Sequence, residues 1–164
     1  MADKENLYRG KCLYAVGDLS PGDWVEGQLV IAHEPADIMT GAFIMPKLYA
    51  VRGCQDPGLM MFAGFAEVDP TTVSQYTGLT DKNGVKIFEG DIVKWGHTPG
   101  CRENPVRIAE VKIAPDIQFD AIIGERRNVF HYGAFLYAGR TDEVLEVIGN
   151  IHDNPELMGG GNDG

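Results

Sequence analysis

The chain has 164 residues and a mass of 17.9 kDa, with 44% hydrophobic and 23% charged side chains. That apolar content supplies one or two small cores and excludes an intrinsically disordered chain. Fourteen Lys and Arg against 24 Asp and Glu give a net charge of −10. Residues 1–75 and 76–164 are both acidic, and the only adjacent basic pair is Arg126-Arg127. Nucleic-acid binding is therefore not expected, because clustered Lys and Arg supply most phosphate affinity. No uncharged apolar window approaches the roughly 18 residues a membrane-spanning helix needs. The first eleven residues carry Asp3, Lys4, Glu5, Arg9 and Lys11 and lack a signal-peptide core, so the expected location is cytoplasmic.

In chain order, short apolar runs stand between turn residues, punctuated by 21 Gly and 9 Pro. In the first half these runs are Trp24-Val25, Leu29 to Ala32, Ala42 to Met45, Leu48 to Val51 and Leu59 to Phe62. Such runs read as strands. Helical periodicity is confined to Pro35 to Thr40 and to Asn154 to Met158, where Asn154 is a cap and Pro155 opens the turn.

The stretch Tyr76 to Trp95 carries the clearest signals. Asn83-Gly84 predicts a type I′ hairpin turn, with the Asp81 carboxylate closing it. Val85 to Phe88 is a short strand. Glu89-Gly90-Asp91 breaks it, and Ile92 to Trp95 resumes in a new direction, a device by which small barrels turn corners. Gly96 to Pro105 reads as a loop. Four strands follow, at Val106 to Ala114, Ile117 to Ile123, Val129 to Tyr137 and Val144 to Ile148, joined through Pro115-Asp116, Gly124 to Asn128 and Ala138 to Glu143. The expected fold is mainly β with little helix: a β-rich N-terminal region at 1–75, a small SH3-like or OB-like barrel at 76–158 and a flexible tail at 159–164.

The stretches Thr72 to Gly84 and Ile87 to Val93, with the closing Glu146-Val147-Ile148-Gly149-Asn150-Ile151-His152-Asp153-Asn154-Pro155-Glu156-Leu157, closely resemble the YopX family of phage and prophage proteins. Tyr8 to Lys11 is a looser match to its opening strand. The resemblance implies a β-rich protein encoded by a phage or prophage in a bacterium. It implies no reaction and no catalytic residues, because the family is essentially one of unknown function.

Enzyme motifs are missing. Ser20 and Ser74 are the only serines and neither sits in a G-x-S-x-G elbow; no phosphate-binding G-x-x-x-x-G-K-[ST] loop occurs. Cys12, Cys54 and Cys101 are widely spaced, which fits neither a disulfide framework nor a zinc knuckle. His97, Cys101 and His131 make a weak metal set, and His152-Asp153 reads as a turn and cap rather than a general-base pair. No catalytic residue, metal or cofactor is expected. The expected function is a non-enzymatic binding or adaptor protein that engages a host or phage protein. Sequestration of a small nucleotide signal is the second reading, and a nucleic-acid-binding barrel stacking bases on Tyr132, Phe135 and Tyr137 the third. Candidate ligand- or partner-binding residues are Gln75, Tyr76, Asp91, Trp95, Arg126, Arg127 and Arg140.

Residues 42–65 hold Phe43, Ile44, Met45, Leu48, Tyr49, Leu59, Met60, Met61, Phe62 and Phe65, more apolar surface than a short strand set hides by itself. Self-association is the expected consequence. Light scattering at micromolar concentration should give a native mass above 17.9 kDa; a clean monomer contradicts it.

Overall fold

A computed structural model describes residues 6–32, 41–46, 65–96, 106–123, 125–135 and 137–158. The chain divides into two compact units, residues 1–75 and 76–164. It is mainly β, as the punctuated apolar runs predict, and among the described residues its helical pieces are single turns.

In the first unit, β1 (Tyr8–Lys11), β2 (Trp24–Ala32), β3 (Gly41–Pro46), β4 (Ala66–Val68) and the start of β5 (Ser74–Thr80) pair antiparallel in the order β4-β3-β2-β1-β5. Along β2, Val25 turns inward while Glu26, Gln28 and Val30 face outward, the two-residue period of a half-buried strand. Val25, Ala42, Ile44, Ala66, Val68 and Cys12 make the core. Burial foremost, and then the Asp23 charge, pushes the Cys12 thiol up, so it acts as a small apolar filler. The helix expected at Pro35 to Thr40 and the strands at Leu48 to Val51 and Leu59 to Phe62 lie outside the described residues, as does the tail.

In the second unit the rest of β5 pairs with β6 (Lys86–Phe88). A five-stranded antiparallel sheet follows in the order β10-β9-β8-β7-β11, built from β7 (Asp91–Trp95), β8 (Arg107–Ile113), β9 (Ile117–Ile123), β10 (Arg126–His131) and β11 (Glu146–Asn150). This sheet is open, which corrects the barrel. Among the described residues β10 and β11 each pair on one side only. The physical reason is the chain between them. After β10 it forms a 3-10 turn (Tyr132–Ala134) and the short helix α1 (Thr141–Val144). That segment brings Phe135 and Leu145 into one core with Val93, Trp95, Ala109, Val111, Phe119 and Ala121 of the sheet. The space a barrel would enclose is filled by this cover.

Two further boundaries move. The strand expected at Val129 to Tyr137 begins three residues earlier and stops at His131, so Arg126 and Arg127 belong to a strand and not to a connection. The hairpin turn places Lys82 and Asn83 at its centre, closed by the Gly84 N–H donating to the Asp81 carbonyl at 3.0 Å, with Gly84 at φ 77°. It is a three-residue loop with a bulge glycine rather than a two-residue type I′ loop.

Asp81 does more than close its own turn. Its carboxylate is 1% exposed. Oδ1 accepts from the backbone N–H of Asn83 (2.8 Å) and of Val85 (2.9 Å), and Oδ2 accepts from the N–H of Val147 in β11 (2.9 Å). Burial pushes its pKa up, but those three N–H groups and the Asn83 amide outweigh burial and hold it below the ordinary 3.8. The Lys82 N–H adds a bond to the Leu145 carbonyl at 2.9 Å.

The bend before β7 is held similarly. The buried Asp91 carboxylate accepts from the Phe88 N–H at 2.8 Å. Gly90, at φ 79°, donates to the Val111 carbonyl (2.8 Å) and accepts from the Ile151 N–H (2.9 Å). At the end of β11, Asn150 Oδ1 accepts from the N–H groups of His152 and Asp153. Gly149 lies so near Asn154 that an added Cβ would stand 2.5 Å from its Oδ1. The 3-10 turn Pro155–Met158 then follows, the position read as a capped helical start.

Two substitutions check this account. Gly90→Val should destabilise by about 2–3 kcal/mol, because a β-branched residue is strained at that φ and both backbone bonds depend on it; a melt within a degree or two of the parent refutes the corner. Asp81→Asn should cost about 2 kcal/mol, since it keeps one acceptor and turns an amide N–H toward the Val147 N–H. Asp81 is ionised more readily folded than unfolded, so its contribution is complete above pH 3.8 and lost as pH falls through its lower folded value. Acid melts of the parent should therefore lose stability below pH 3.8 that Asp81→Asn has already lost; parallel acid profiles contradict this role.

Candidate functional site

The sequence-derived candidates separate into interior and surface groups. Trp95 is 2% exposed, at the centre of an aromatic set with Phe130 (5.5 Å, edge-on), Phe135 (5.6 Å, edge-on) and Phe119 (6.0 Å). Its ring faces are taken by the core, which offers a ligand no stacking platform. Asp91 spends an oxygen on the Phe88 N–H. Tyr76 is half-buried against Phe88, ring centroids 5.4 Å apart. Gln75 is half-buried in β5 opposite Tyr8 of β1. Arg140 is exposed and ion-paired with Glu143 one turn on, through Nε and Nη2.

The base-stacking set divides likewise. Phe135 is in the core, and the Tyr132 hydroxyl accepts the Gly139 N–H at 3.1 Å. These rings pack inward. Of the weak metal set, His97 and Cys101 lie outside the described residues, while His131 ends β10.

Arg126 and Arg127 are different: both are exposed at the start of β10. Antiparallel register puts Arg127 opposite Ile122 and Arg126 opposite Ile123. Each pair shares one face, and the two pairs look in opposite directions. The register also creates a charge arrangement that sequence reasoning missed. Glu110 of β8 lies directly opposite Asp120 of β9, and like charges so placed repel. Lys112 lies between them, 3.3 Å from Glu110 and 3.4 Å from Asp120, and Arg127 ion-pairs with Asp120 from the other side. Asp120 is 4% exposed, and its Oδ1 makes no hydrogen bond. Two cations therefore hold two carboxylates on this face of the sheet.

The other unanticipated feature is apolar exposure at the tip. Ile122 is 48%, Ile123 43% and Val129 41% exposed. Among the described residues β8 pairs with β9 as far as Ala121, and Ile122 and Ile123 pair with β10. The available signal was two adjacent isoleucines directly before Gly-Glu-Arg-Arg, a strand end where apolar-polar alternation stops.

The family model described as YopX protein matches residues 59–159. A crystal structure of protein EF1440 from Enterococcus faecalis is similar over 93% of this chain and 96% of that one, at 21% identity and a TM-score of 0.42. No curated protein matches the chain.

Proposed function

The YopX match spans more than half of the chain, which therefore belongs to the YopX family, and from that premise we propose that it is a non-enzymatic binding or adaptor protein, encoded by a phage or prophage, that engages a host or phage protein in the bacterial cytoplasm. One observation carries this reading. Several polar side chains of the family stretches are spent inside the fold, while exposed isoleucines and arginines stand on the β9–β10 hairpin. Thr77 donates its hydroxyl to the Ile87 carbonyl (2.6 Å) across the irregular register of β5 and β6. Asp81, Asp91 and Asn150 hold turns in the same way. A catalytic acid, base or nucleophile needs a free position facing substrate, and these residues are occupied. Apolar exposure rimmed by arginine is the composition of a protein-recognition surface.

The reading requires no cofactor and no metal. Among the described residues no His, Cys, Asp and Glu group is arranged to hold a metal ion, and no helix is long and apolar enough to cross a membrane. Self-association through the apolar first half is compatible with it, since the hairpin belongs to the second unit.

Affinity-tagged protein, expressed in a bacterium during prophage induction and cross-linked before lysis, should co-purify with a protein in fixed stoichiometry and re-form the complex from purified components. Native mass spectrometry that instead finds a nucleotide-sized adduct and no protein partner overturns the adaptor reading in favour of sequestration.

A further inference from the structure

Resting on the adaptor reading, we infer that the β9–β10 hairpin is the docking element and that it takes an extended acidic segment of the partner as an added strand on β10. Among the described residues β10 is an edge strand, paired with β9 alone. An edge strand offers backbone donors and acceptors to an incoming strand, the basis of β-strand addition, and here the incoming strand takes the place of the Asn128 amide, which donates to the Arg126 carbonyl at 3.0 Å. The tip of this finger carries Ile122 and Arg127 on one face and Ile123 and Arg126 on the other. A strand added on β10 extends the sheet by one ladder and stands beside Arg126, Arg127 and Val129.

Charge complementarity selects the occupant. Arg126 is exposed and has no ion-pair partner among the described residues. The Arg127 side chain is 61% exposed beyond its pairing with Asp120. In an added strand, two adjacent residues opposite the arginines point to opposite faces, as the arginines do. Adjacent carboxylates there meet one guanidinium each, and an apolar residue two positions away meets Val129. A second copy in full antiparallel overlap sets Arg126 opposite His131 and Arg127 opposite Phe130, so β10 against β10 places no carboxylate directly opposite either arginine. A phosphate polymer is opposed by the net charge of −10.

The test uses the full-length protein and a short fluorescent peptide with a Glu-Glu pair two residues from a Val in a Thr-rich frame, followed by anisotropy. The parent should bind it, the Glu→Gln peptide should bind about tenfold more weakly or worse, and a peptide methylated on alternate backbone nitrogens should lose binding. Arg126→Glu should weaken binding by at least about tenfold with an unchanged melt, and Arg126→Lys should restore part of it. Equal affinity for the Glu and Gln peptides, or for parent and Arg126→Glu, overturns the proposal. So does conversion of an oligomer to a monomer by Ile122→Asp, which would show a second copy on the finger. A partner that co-purifies equally with parent and Arg126→Glu refutes this docking element and leaves the adaptor reading standing; absence of any protein partner refutes that reading itself.

Discussion

The Asp81 carboxylate receives two backbone N–H groups from its own turn and a third from Val147, 66 residues along the chain. A charged acceptor removed from water forms stronger bonds than a neutral one, and losing it strands three donors at once. With Val147 tethered, β11 is held along β7, and Glu146 comes within reach of Lys82 (2.7 Å) and Lys94 (3.3 Å). Hydrogen bonds from those two lysines hold the Glu146 carboxyl below its ordinary value. They are exposed and screened, so they trim the arrangement that Asp81 establishes. The Ile151–Gly90 bond at the far end of β11 completes the clasp. The second unit thus depends on turns fastened to a distant strand.

This dependence explains what could be read from sequence. Turn residues act locally, so Asp81, Gly84, Gly90, Asp91 and Pro155 announce themselves, and β3, β7, β8 and β9 fall within a residue or two of their apolar runs. β10 does not. Its first residues, Arg126 to Asn128, are polar and would pass for a loop; they are extended because β9 supplies a backbone ladder, a contribution with no side-chain signature. The barrel failed for a related reason. Five short strands in succession describe pairing, but what covers their inner face is decided by tertiary packing. Phe135 and Leu145, in a stretch read partly as strand and partly as connection, take that place.

The same division governs the candidate site. Residue type singled out Trp95, Asp91 and Tyr76 as capable of recognition, yet an indole or carboxylate serves equally well inside a core or turn. Asp91 and Trp95 are paired with the chain itself. Arg126 and Arg127 survive as surface groups because they lie on a strand with an open side. The opposition of Glu110 and Asp120, and the placement of Ile122 and Ile123 opposite Arg127 and Arg126, exist only once the β8–β9 and β9–β10 registers are set. A one-residue slip would exchange every one of these between faces.

A basic finger on an acidic chain has a kinetic consequence. The net charge of −10 repels an acidic segment at long range, and that repulsion falls off over about 10 Å at ordinary ionic strength. The guanidinium groups act only at contact. For the docking proposed above, association is therefore not accelerated by steering, and affinity has to reside in slow dissociation, from backbone pairing and from the arginine–carboxylate contacts. Such a surface rejects acidic polymers that approach generally and retains a strand that completes its ladder. The acidity of the body then contributes to specificity, because it discriminates against every anionic partner that cannot add a strand.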